Sequence, residues 1–181
     1  MLELYIPACE GYDERKQEFV IISKEQTLQL EHSLVSLSKW ESKWHKSFFT
    51  KEEKTYEETI DYIKCMTLTK NVPPEVYTLL TPRNIQEINE YIGDSMTATT
   101  FSEDKNAKPN RERVTSELIY YWMISLGIPF ECQKWHINRL LTLIKVCSIK
   151  NQPPKKSSKK QIMSRNAALN AARRKQLNSR G

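Results

Sequence analysis

Residues 114–149 read VTSELIYYWMISLGIPFECQKWHINRLLTLIKVCSI, and this stretch decides the fold. Residues 114–126 form an apolar run that stops at Gly127, and Ile128-Pro129 prevents its continuation. Residues 135–149 carry Ile137, Leu140, Leu141, Ile144 and Cys147 at helical spacing. Two apolar helices with so short a connection predict a helical hairpin, placed at the centre of the core.

Upstream, Thr81-Pro82 is a helix start, with threonine at the cap and proline in the first turn. Ile85, Ile88 and Ile92 form the stripe of that helix, and Gly93 ends it. Residues 94–113 are polar and read as a loop. Asn71-Val72-Pro73-Pro74 breaks the preceding helix, and Pro74 opens a short one through Leu80. Thr50, followed by Glu52 and Glu53, predicts a helix start there, with Tyr56, Ile60, Ile63 and Met66 on one face. In 33–50, Leu34, Leu37, Trp40 and Trp44 fit a turn or short helix, while Val35, Leu37 and Lys39 also allow an extended segment. Nearer the N-terminus, Leu2-Glu3-Leu4-Tyr5-Ile6, Phe19-Val20-Ile21-Ile22 and Leu28-Gln29-Leu30 read as three strands of an antiparallel meander, which must lean on helices to be stable.

Downstream, Gln152-Pro153-Pro154 opens a lysine- and serine-rich linker, followed by a last amphipathic segment, Gln161 to Leu177, with Ile162, Leu169 and Ala172 or Arg173 near one face. The expected architecture is mainly α with a small N-terminal antiparallel sheet (α+β). Its organisation is one globular domain over 1–150, with a β meander in 1–32 and a helical bundle in 33–150, and a flexible basic tail over 151–181.

A chain of 181 residues allows one ordinary domain with appendages. Its mean hydropathy of −0.63 is that of a water-exposed protein. No apolar run approaches the roughly 18 residues of a membrane helix, and MLELYIPACEGYDE lacks the basic start and apolar run of a secretory signal. Cys9, Cys65, Cys132 and Cys147 form no C-x-x-C pair and read as reduced small hydrophobes, which predicts a cytosolic protein. The net charge of +6 divides unevenly. Residues 151–181 hold nine basic residues (Lys155, Lys156, Lys159, Lys160, Arg165, Arg173, Arg174, Lys175 and Arg180) and no acid, leaving 19 basic against 22 acidic residues in 1–150. Any argument from positive charge to nucleic acid therefore rests on the tail.

Catalytic constellations are sparse. His32, His45 and His136 are scattered, and Cys132 with His136 lacks the second ligand pair of a structural metal site. With Lys51 and Lys54 beside them, Glu52, Glu53, Glu57 and Glu58 read as a solvated face, and four glycines make no phosphate loop. No catalytic residue, metal or cofactor is expected. Trp122 and Trp135 read as core. Trp40, Trp44, Phe48 and Phe49 are the first candidates for partner binding, because aromatic residues are enriched at interface hot spots, although Trp40 and Trp44 also fit a core. The basic tail is the second candidate. It reads as a solvated segment, as an arm that folds on an acidic protein, or as a nucleic-acid contact without stacking aromatics.

SLSKWESKWHKSFF (36–49), residues 117–151 and RNAALNAARRKQLNSRG (165–181) resemble the tail assembly chaperones of tailed bacteriophages, over most of the chain from Ser33 to Gly181. The resemblance implies a protein of the host cytoplasm that binds the long, hydrophobic, helical tape-measure protein. It would keep that rod soluble until tail-tube subunits polymerise around it. It further implies several copies along one client, contacts with other tail proteins, and a possible C-terminally extended form made by frameshifting. The rival readings are a structural virion component, such as a connector or tail-completion subunit, and a nucleic-acid-binding protein acting through 155–180.

Overall fold

A computed structural model describes residues 1–13, 15, 17–101, 113–152 and 159–178. By chain contacts it divides into two units, Met1–Ser148 and Ile149–Gly181. The architecture is mostly helical with small antiparallel β pairings at the N-terminus, as the sequence predicts.

The N-terminal strands differ from a meander. Among the described residues there are four: β1 (Leu2–Ile6), β2 (Cys9–Asp13), β3 (Glu18–Ser23) and β4 (Gln26–Leu30). β1 pairs with β4, and β2 with β3, both antiparallel. The inner hairpin is thus nested in the outer one. Segment Cys9–Asp13 is a strand because it has β3 to pair with. In the outer ribbon Leu4, Ile6, Leu28 and Leu30 are buried, while Glu3, Tyr5, Thr27 and Gln29 face outward or stay partly exposed. That period-two alternation sets the register. The ribbon leans on the chain after the second helix, where Leu68 N–H donates to Gln29 O at 2.8 Å and Glu31 N–H to Met66 O at 2.9 Å.

α1 (Leu34–Trp44) is helical rather than extended. Ser33 caps it, its hydroxyl accepting from Ser36 N–H while Ser36 Oγ accepts from Ser33 N–H. α2 (Tyr56–Met66) starts at Thr55, five residues beyond the expected Thr50. Thr55 has the acid three residues on: Glu58 Oε2 accepts from Thr55 N–H at 2.9 Å, and Thr55 Oγ1 accepts in return from Glu58 N–H at 3.2 Å. A 3-10 turn over Pro74–Leu79 and α3 (Pro82–Gly93), capped by Thr81, follow as the prolines predict. α4 (Ser116–Ser125) and α5 (Ile137–Asn151) are linked through a 3-10 turn at Phe130–Lys134, and both contribute to one apolar cluster. Gly127 closes α4 at φ +64, a conformation that costs a glycine little, and the N–H of Ile128 then reaches back to Met123 O at 2.8 Å.

The helical hairpin is not the sole centre of the core. Two apolar clusters form within Met1–Ser148, and α1 contributes to both. Leu34 and Leu37 join Ile119, Met123, Ile137, Leu140 and Ile144 in one. Trp40 joins Leu4, Leu28, Ile63, Met66, Val76 and Ile88 in the other, and Phe48 packs against both. In the second unit α6 (Lys159–Leu177) is a 19-residue helix, and its described side chains are exposed.

Candidate functional site

The four aromatic candidates separate in the structure. Trp40 is a correction: only 1% exposed, it is a core residue whose indole N–H donates to Glu58 O at 2.9 Å. At three residues' spacing from the buried Leu37, helical geometry turns it inward. Trp44 is half-buried, its Nε1 donating to Asp61 Oδ2 at 3.0 Å. It lines a shallow depression of about 330 Å³ with Tyr56, Ile60 and the Lys43–Asp61 ion pair. Phe49 is exposed and packs edge-on to Phe48 at 5.9 Å. Phe48 alone of the four lines a groove of about 680 Å³ between the segment entering α2 and the face of α3.

Phe48, Tyr62 and Ile63 lie on one side of this groove, and Ile85, Ile88 and Ile92 on the other, with Asn89 beside them. Lys51, Glu52, Glu53, Lys54 and Tyr56 rim it. Ile88 and Ile63 are buried, whereas Ile85, Ile92 and Phe48 remain partly open. The Phe48 ring lies 4.2 Å from Tyr62 and 5.5 Å from Trp40, so buried aromatics back the floor. Lys54 Nζ sits 4.1 Å over the Phe48 ring and donates to Phe48 O at 2.9 Å. Its partial burial lowers its pKa below the usual lysine value, against the opposing pull of Glu58. Two carboxylates hold the segment. Glu41 Oε1 accepts from Phe48 N–H and Oε2 from Ser116 N–H, both at 2.7 Å, and Ser47 Oγ donates to Val114 O at 2.5 Å. Glu58 is also a correction: expected on a solvated face, it is 3% exposed, capping α2 and paired with Lys46 at 2.6 Å. The hydrogen bond from Lys46, then that from Thr55 N–H, holds its carboxyl below the usual range.

Ile85, Ile88 and Ile92 were legible in the sequence as a stripe, but the partial exposure of Ile85 and Ile92 was not, because spacing identifies a face without saying what covers it. Among the basic-tail candidates, Arg165, Arg173, Arg174 and Lys175 are exposed on α6, and Lys159 and Lys160 lie in its first turn. Lys155 and Lys156 fall outside the described residues. Cys132 is buried in the α4–α5 cluster. No group of three or more potential metal ligands forms among the described residues, and no described helix is long and apolar enough to cross a membrane.

Beneath the groove lies a buried polar cluster. His32 Nδ1 and the Tyr62 hydroxyl share a hydrogen bond of 2.5 Å, and the His32 and His136 rings meet at 5.0 Å. His136 Nε2–H donates to Tyr91 O at 3.0 Å while its Nδ1 accepts from Asn138 N–H, so the ring is neutral. Tyr91 in turn donates to Glu31 at 2.7 Å. Burial, then the neighbouring His136, pushes His32 down to about 3, and burial lowers His136 against the Tyr91 carbonyl. The unfolded chain therefore takes up protons below about pH 6.5 that the folded cluster refuses. Stability is expected to fall by about 1.4 kcal/mol per pH unit for His32 on acidification from pH 6.5 to 5, above the range where carboxylates protonate. Urea unfolding at pH 7.5, 6 and 5 checks this, and His32→Gln should flatten the slope. An unchanged midpoint between pH 6.5 and 5 contradicts it.

No protein family, curated protein or solved structure matches this chain.

Proposed function

We propose that this chain is a non-enzymatic phage tail assembly chaperone, whose groove between α3 and the segment entering α2 holds apolar helical stretches of the tape-measure protein. The observation that carries the reading is the groove itself. Its partly open Ile85, Ile92 and Phe48 line an apolar groove of the kind that takes the i, i+3, i+4 and i+7 face of an amphipathic helix. The rim mixes lysines and glutamates, which suits many client segments rather than one sequence. The resemblance of residues 33–181 to tail assembly chaperones supplies the client. Many weak sites along one rod would hold several copies by avidity, and polymerising tube subunits could then displace them one at a time.

Co-expression with the tape-measure protein tests the reading. The client is expected to be soluble and to co-purify only with the unmodified chain. Ile85→Glu with Ile92→Glu is expected to weaken capture by tenfold or more, about 1.4 kcal/mol or greater, while circular dichroism stays unchanged because both side chains are partly open. A client that precipitates alongside the unmodified chain removes the chaperone reading. Undiminished capture by the folded double variant removes the groove.

A further inference from the structure

We propose that α6 is a duplex-DNA-binding helix that lies in the major groove. This rests on the second unit alone and is independent of client capture. α6 holds six basic residues and no acid over 19 residues. At 1.5 Å per residue it is about 28 Å long, about eight base-pair steps of 3.4 Å. The distribution of charge decides the partner. At 100° per residue from Lys159, Arg174, Lys175, Arg165 and Arg173 fall at about 60, 160, 240 and 320°. The cations thus point to every side of the axis. A flat acidic protein face would pair with only one side of such a helix. An anionic bilayer needs an apolar half, and the side bearing Ile162 and Leu169 is bracketed by Arg165 and Arg173. The major groove of B-form DNA admits an α-helix with phosphates on both flanks, which is where cations on opposite sides find partners.

The middle of the helix fits the same site. Residues 166–172 read NAALNAA. Asn166 and Asn170 stand one turn apart on the face between Arg173 and Arg174, and all four are exposed. Asparagine amides pair with the N6/N7 edge of adenine. Arg173 and Arg174 diverge from that face toward the two strands.

Fluorescence anisotropy of the full chain on a 20-base-pair DNA duplex, between 50 and 200 mM KCl, tests this. With about five phosphates neutralised, log affinity should fall against log salt with a slope near −4.5, about 500-fold over that range. Arg173→Gln with Arg174→Gln should reduce the slope by about 2. A double-stranded RNA of equal length, whose deep narrow groove excludes a helix, should bind at least tenfold more weakly. Equal binding to RNA and DNA overturns the groove placement. Absence of binding to DNA at 50 mM KCl overturns the proposal, as does tighter binding to polyglutamate or to vesicles with 30% phosphatidylserine.

Discussion

Glu41→Ala is expected to destabilise the protein by about 3 kcal/mol, lowering the melting temperature by about 6–12 °C. Glu41 is buried on α1, and its two oxygens accept from the backbone N–H groups of Phe48 and Ser116. Truncation strands a buried donor at the start of α4 and a partly buried one beneath the groove, each worth about 1–3 kcal/mol. Glu41→Gln keeps one acceptor and turns an NH2 toward the other donor, so an intermediate loss is expected. Thermal unfolding of the three proteins is the measurement. A Glu41→Ala protein within about 1 kcal/mol of the parent would show that water replaces the carboxylate without cost. Because Glu41 anchors the segment that carries Phe48, the variant should also weaken client capture at temperatures where it is still folded.

Trp40→Ala is expected to cost about 3–5 kcal/mol, the range for removing a large aromatic from a packed core. The indole is enclosed by Trp44, Phe48 and Tyr62, with ring centroids at 6.3, 5.5 and 6.3 Å, and its N–H satisfies the Glu58 carbonyl. Trp40→Phe retains most of the volume and loses the hydrogen bond, so about 1–2 kcal/mol is expected. Trp44→Ala, at a half-buried site, should cost less than Trp40→Ala. Denaturant midpoints at constant m-value rank the three. The reverse order of Trp40 and Trp44 would place the core on the wrong side of α1.

The contrast between these two tryptophans shows where sequence reasoning stops. Both lie in SKWESKW, four residues apart, and local composition treats them alike. Only the packing of α2 over α1 buries one and leaves the other half-open. Glu41 and Glu58 follow the same logic. A glutamate beside lysines reads as solvated until a backbone N–H 75 residues away, or a lysine from another element, is brought within hydrogen-bond reach.

What the sequence determined by itself is local. It set the helix starts whose cap side chains reach their own first turns, at Thr81 and Thr115, and the breaks at Pro73, Pro74 and Gly127. It also set the alternation of β1 and β4 and the apolar stripes of α3 and α5. Each of these depends on residues within four or five positions, where backbone sterics and capping act without a partner. Even the misplaced start of α2 was a local contest between Thr50 and Thr55, resolved by Glu58. Tertiary structure alone decided the pairing of β1 with β4, the division of the core about α1, the neutral His32–His136 pair and the partial exposure of Ile85 and Ile92. These are meetings of segments tens of residues apart. Their energies come from excluded water and satisfied polar groups, which exist only once the elements have packed.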